Sequence, residues 1–167
     1  LVFEALPDAF GTIDSLSFSS VDWGDIDNDG DLDLVRSGQS AREENGEQLS
    51  FTVFAVNDGE GGFAGRDDGM IGLNNGDLEL GDVDGDGDLD LVVSGVSSSG
   101  ERRTDLYRND LEGGFIDVGA GLPGLESSAL ALGDYDRDGD LDLVLGGLTQ
   151  DLTLISELYD NDGLGTY

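Results

Sequence analysis

Asp25-Ile-Asp-Asn-Asp-Gly-Asp-Leu-Asp33 is a nine-residue acidic phrase that the chain writes three times. It returns as Asp82-Val-Asp-Gly-Asp-Gly-Asp-Leu-Asp90 and as Asp134-Tyr-Asp-Arg-Asp-Gly-Asp-Leu-Asp142. In each copy the odd positions are Asp, the sixth is Gly and the eighth is Leu. Two like charges roughly 4 Å apart repel by about 1 kcal/mol in water, and by more near a protein surface. A turn loaded in this way is stable when a cation sits in its middle. Hard oxygen donors in this number point to Ca²⁺, which takes about 6–8 oxygens at roughly 2.3–2.6 Å. Alternating Asp residues in a tight turn present their carboxylates to one concave side. The Gly predicts a backbone position with φ > 0.

The end of each phrase separates it from an EF-hand, whose loop closes with Glu at the twelfth position. Here the twelfth residues are Arg36, Val93 and Leu145, so the ninth-position Asp is left to close the loop. The chain then reads as strand, with apolar alternation and recurrent Val: Leu32-Asp-Leu-Val35, Leu89-Asp-Leu-Val-Val93 and Leu141-Asp-Leu-Val-Leu145.

The phrase belongs to a longer repeat. A second landmark succeeds each copy: Asn57-Asp-Gly-Glu-Gly-Gly-Phe63, Asn109-Asp-Leu-Glu-Gly-Gly-Phe115 and Asn161-Asp-Gly-Leu-Gly-Thr-Tyr167. A period near 50 residues marks a repeat architecture. The first copy is longer by a few residues between 38 and 49, a polar stretch containing the hairpin signal Asn45-Gly46. Each period holds four strand candidates. In the second copy they are residues 78–80, 89–94, 104–108 and 114–118, joined by the acidic loop, a Ser/Gly turn at 97–100 and the Asn-Asp-Leu-Glu-Gly turn. The 28 glycines fall mostly in turns, and no amphipathic helix of useful length is present. Four antiparallel strands in about 50 residues make one propeller blade. The expected fold class is therefore all-β, a β-propeller of four-stranded antiparallel blades with three blades in this chain. The repeat units run approximately over 16–66, 77–120 and 128–167, with 1–7 reading as the end of a fourth strand.

The acidic loop, the Asp-Leu-Val strand after it and the Gly-Gly-Phe turn together resemble FG-GAP/VCBS repeats, the Ca²⁺-binding blades of integrin-α-type propellers and of many bacterial surface proteins. The resemblance covers nearly the whole chain. It implies side-chain ligands from Asp25, Asp27, Asp29 and Asp33, with the backbone carbonyl of Asp31. The corresponding sets are Asp82, Asp84, Asp86 and Asp90 with Asp88, and Asp134, Asp136, Asp138 and Asp142 with Asp140. Three Ca²⁺ sites are expected.

Three blades do not close a ring, which typically takes about four to eight. Two arrangements are expected as alternatives. Either the chain is a piece of a longer one that carries further blades, or two copies associate as a homodimer that completes a six-bladed ring. Unpaired strand edges would otherwise stand exposed.

Composition narrows the partners. Asp and Glu number 38 against seven Arg and no Lys, for a net charge of −31. Such a surface repels nucleic acid and anionic membranes. No Cys or His is present, which removes disulfides, thiolate chemistry, the common zinc sites and His-based catalysis. No apolar run approaches the roughly 18 residues of a membrane span. The Ca²⁺ sites point to an extracellular or cell-surface location, and the acid excess either resembles proteins of salty habitats or is a solubilising surface.

Other chemistry is sparse. Trp23 is the single Trp and aligns with Leu80 and Leu132. It reads as a strand residue packed between blades, or as a sugar-stacking platform. Arg102-Arg103 offsets neighbouring acids or grips an acidic partner. Phe18, Phe51, Phe54, Phe63, Tyr107 and Phe115 are expected in the core. The leading functional expectation is a Ca²⁺-stabilised structural or adhesive segment without catalysis, meeting a protein or glycan partner. A lectin-like propeller is the alternative. A propeller carrying a lyase or hydrolase is a third reading, with no catalytic residue to nominate.

Overall fold

The computed structural model describes residues 16–40, 48–111 and 114–163. The expected strand end at 1–7, the Asn45-Gly46 turn and the last residues of the third landmark lie outside them. The described chain is all-β and antiparallel. In unit 1, β1 (Leu16–Gly24), β2 (Asp33–Ser40), β3 (Ser50–Asn57) and β4 (Phe63–Arg66) pair in chain order. Unit 2 repeats this with β6 (Leu78–Gly81), β7 (Asp90–Ser97), β8 (Arg102–Asp110) and β9 (Gly114–Asp117), and the short β5 (Leu73–Asn74) also pairs with β7. Unit 3 contributes β10 (Leu125–Gly133), β11 (Asp142–Thr149) and β12 (Leu154–Tyr159). One bridge, Leu125 opposite Arg103, links the sheets of units 2 and 3. Among the described residues no helix is long and apolar enough to cross a membrane.

The first strand of every unit is broken at the same place. Register shifts occur between Ser17 and Ser20 in β1 and between Glu126 and Ala129 in β10, and in unit 2 the break separates β5 from β6. Phe18, Asn75 and Ser127 hold positive φ angles of 50°, 55° and 48° at these breaks. A bulge re-aims the strand and strengthens its twist. It also turns Phe18 outward, so this ring is exposed and not in the core as its apolar character suggested. Of the other expected core aromatics, Phe54, Tyr107 and Phe115 are buried, whereas Phe51 and Phe63 are half-buried.

The units pack face to face. Ile26, Val35 and Phe54 of unit 1 meet Leu73, Leu78, Leu91, Val93, Tyr107 and Phe115 of unit 2 in one cluster. Val83, Val92 and Leu106 of unit 2 meet Leu125, Leu130, Leu143 and Leu145 of unit 3 in a second. β7 is therefore covered on both faces: Leu91 and Val93 point to unit 1, Val92 to unit 3. This explains its nearly continuous apolar run, which a strand with one wet face would interrupt. Phe54 and Phe115 stack across the first interface with ring centroids 4.5 Å apart.

Candidate metal centres

Each acidic phrase joins the first and second strands of its unit, at the same edge of the array. The turn is built by backbone geometry. The fourth residue of each loop is left-handed: Asn28, Gly85 and Arg137 have φ of 58°, 73° and 70°. The sixth is left-handed too, with Gly30, Gly87 and Gly139 at 96°, 97° and 107°. A Cβ at these three glycines would meet nothing within 4 Å, so conformation and not space demands Gly. Successive carboxylates then cap the turn. Asp25 accepts from the amides of Asp29 (3.1 Å) and Gly30 (3.0 Å). Asp29 Oδ1 accepts from Asp31 N–H, Asp86 Oδ1 from Asp88 N–H and Asp138 Oδ1 from Asp140 N–H, at 2.9, 2.9 and 3.0 Å.

The same turns bring carboxylates together. Oxygens of Asp25, Asp27 and Asp29 lie within 4.8 Å of one another, as do those of Asp82, Asp84 and Asp86, and those of Asp134, Asp136 and Asp142. Asp27 Oδ1 and Asp82 Oδ1 are enclosed without a hydrogen-bond partner. A partnerless enclosed carboxylate oxygen beside two more carboxylates suits a hard divalent cation. Burial, and then the neighbouring charges of Asp29 and Asp33, push the Asp27 carboxyl above its usual range. Asp136 and Asp140 rise for the same reasons, burial first.

The remaining loop acids sit differently. Asp88 Oδ1 accepts from Asn28 Nδ2 of the preceding loop at 2.6 Å, a link between units. The ninth-position carboxylates are buried and bind backbone with both oxygens. Asp33 takes the amides of Ile26 (3.0 Å) and Asn57 (2.8 Å). Asp90 takes those of Val83 (2.9 Å) and Asn109 (2.8 Å), and Asp142 those of Tyr135 (2.9 Å) and Asn161 (3.0 Å). Each oxygen keeps a second lone pair for a cation. Burial pushes Asp90 up to about 6 despite these two amides, and the charges of Asp84 and Asp86 add to the shift.

The landmark asparagines carry a role that their motif does not reveal. Asn109 Nδ2 donates to the carbonyl of Ile26, in the loop of unit 1, at 2.9 Å. Asn161 Nδ2 donates to the carbonyl of Val83, in the loop of unit 2, at 2.7 Å, and also to Leu141. Their matched spacing in the sequence was the available signal. Away from the loops, Arg103 donates to Asp105 through Nε and Nη2, at 2.8 and 2.7 Å, and Arg102 pairs with Glu126, so the doublet offsets acids. Trp23 is half-exposed with its ring 6.1 Å from that of Phe63, and it is not packed between units as expected. Its equivalents Leu80 and Leu132 each lie against an interunit cluster, whereas Trp23 belongs to the first described unit.

The loops differ at one surrounding position. The residue before each landmark asparagine is Val56, Arg108 and Asp160. Arg108 lies 3.2 Å from Asp84 in loop 2, whereas Asp160 adds charge beside Asp136 in loop 3.

Repeated antiparallel sheet units with carboxylate-lined loops between their first two strands define a class of acidic β-repeat proteins. Residues 82–145 match the family model for the FG-GAP-like repeat. No curated protein and no solved structure matches the chain.

Replacing Asn109 by Ala strands the Ile26 carbonyl in a buried site. The expected loss is roughly 1–3 kcal/mol in urea unfolding. A loss under about 0.5 kcal/mol would show that the interunit link contributes little.

Proposed function

We propose that the three units are blades of a Ca²⁺-binding β-propeller and that the acidic loops hold Ca²⁺ as part of the fold. The observation that carries this reading is the convergence of three carboxylates in every loop, with an enclosed partnerless oxygen in the first two. Asp25, Asp27 and Asp29, then Asp82, Asp84 and Asp86, then Asp134, Asp136 and Asp142 are the core ligands. Asp33, Asp90 and Asp138 complete them by side chain, and Asp31, Asp88 and Asp140 by carbonyl. Bound there, Ca²⁺ supplies the charge that cancels this crowding. The role is structural and adhesive, not catalytic. It belongs to a secreted or surface protein, where free Ca²⁺ is abundant, and a protein or glycan is the partner. A repeated glycan pocket would need an aromatic at each position equivalent to Trp23, and Leu80 and Leu132 stand there.

With a dissociation constant of about 10 µM and about 1 mM Ca²⁺, each site adds roughly 2.7 kcal/mol. EDTA is therefore expected to lower the melting temperature by more than about ten degrees. A melt that does not move after elemental analysis verifies metal removal would defeat the mechanism. In calorimetric titration the chain is expected to take three equivalents of Ca²⁺. Asp86→Ala and Asp136→Ala should each take two, and a stoichiometry unchanged in both would reject the ligand assignment.

Arg108 competes with a cation for Asp84. Arg108→Val is expected to tighten loop 2 by up to about fivefold, in keeping with the roughly 1 kcal/mol worth of an exposed ion pair. Site-resolved Ca²⁺ titration by NMR reads this directly, and weaker binding at loop 2 would contradict it.

A further inference from the structure

The array ends on a face that copies its own interior contacts. The residues that unit 1 buries against unit 2 are Ile26, Val35 and Phe54, and unit 2 buries Val83, Val92 and Leu106 against unit 3 in the same way. All six are at most 1% exposed. Their third occurrence is Tyr135, Val144 and Leu158, which are 57%, 42% and 53% exposed. At the other end, the positions that bury Leu78 and pack the partly buried Leu80, or Leu130 and Leu132 likewise, hold Val21 and Trp23, 58% and 51% exposed. One end thus presents the outgoing half of the interunit contact and the other end the incoming half.

Three further features repeat in step. A Cβ on Gly24 would lie 2.6 Å from Leu89, and one on Gly81 would lie 2.7 Å from Leu132, because the next unit approaches closely there. Gly133 is the third of this series, and a Cβ there meets nothing within 4 Å. Its φ is not positive, so nothing within the described chain requires Gly at 133. A backbone ladder also crosses the interfaces. Asn75 N–H donates to the Phe18 carbonyl at 3.0 Å, and Ser127 N–H donates to the Asn75 carbonyl at 2.6 Å. The next carbonyl of the ladder is that of Ser127, and the first amide is that of Phe18. Finally, Asn161 Nδ2 donates both to Leu141 in its own unit and to Val83 in the preceding one. Asn57 Nδ2 makes the own-unit bond, to Leu32 at 3.1 Å, and the outward acceptor of that series is the carbonyl of Tyr135.

We propose that the Tyr135–Val144–Leu158 face of unit 3 docks the Val21–Trp23 face of unit 1 in a second copy of this chain, so that two copies related by a two-fold axis close a six-unit ring. Both halves of the contact are on one chain, and the new interface continues the two internal ones. A head-to-tail contact closes into a ring when its rotation allows and otherwise grows into filaments. Six units fall within the range of about four to eight for closed propellers. The charge of −31 per chain opposes association, so the contact is best read at high ionic strength. At about 1 M salt the screening length is roughly 3 Å.

The test is sedimentation velocity of the 167-residue chain in about 1 M NaCl and about 1 mM Ca²⁺. A discrete dimer is expected. Gly133→Leu leaves the described fold unobstructed, blocks the outgoing face and should give a monomer with an unchanged circular dichroism spectrum. Trp23→Asp should do the same from the incoming face. Mixing these two variants leaves one intact contact and should restore some heterodimer, detected with one partner fluorescently labelled. A wild-type monomer would overturn the proposal and assign the face to further units of a longer polypeptide. Open-ended growth with concentration would overturn the closed ring. A dimer indifferent to both variants would place the interface elsewhere.

Discussion

The ninth carboxylate of each loop is the constraint on which every unit depends. Asp33, Asp90 and Asp142 are buried, where an ionised group is expensive unless it is hydrogen-bonded. One oxygen holds an amide of its own loop and the other holds the amide of the landmark asparagine, at the end of the third strand. Loop, second strand and third strand are thereby pinned at a single point. The cost survives in Asp90, which stays well above the usual carboxylate range despite two amide donors. A fold that places such a group beside four more acids has a standing electrostatic problem at the end of every first strand. Enclosed positive charge is its simplest physical answer.

The pin also carries order from one unit to the next. Asn109 and Asn161, whose amides meet the ninth carboxylates of units 2 and 3, send their side chains to the loop of the preceding unit. Polar links therefore run along the loop edge while apolar clusters fill the space between sheets. The bulge ladder adds backbone hydrogen bonds across the same interfaces.

Much of this was legible because the chain repeats itself. The three loops, the strand after each, and the left-handed sixth residue were all readable from spacing and residue type. The strands of unit 2 lie where alternation and turn residues put them, with ends moved by one to three residues. The bulge was not legible, since Phe18, Asn75 and Ser127 share no side-chain chemistry and only their backbone angle is common. Phe18 was misplaced for that reason. Trp23 stands exposed because no other described unit lies against its face. Spacing picked out the landmark asparagines but gave no function for them, because an interunit hydrogen bond depends on how sheets stack and not on sequence within one sheet.

Stacking in which the described apolar clusters join only adjacent units has a kinetic consequence. Unit 2 alone has a described neighbour against both faces, so β7 and β8 are the last strands to open. Their amide protons would exchange with solvent most slowly, while a protease would find its first foothold in unit 1 or unit 3. Closing the array into a ring abolishes that gradient, because every unit then fences in its neighbours and opening any one requires breaking two contacts at once.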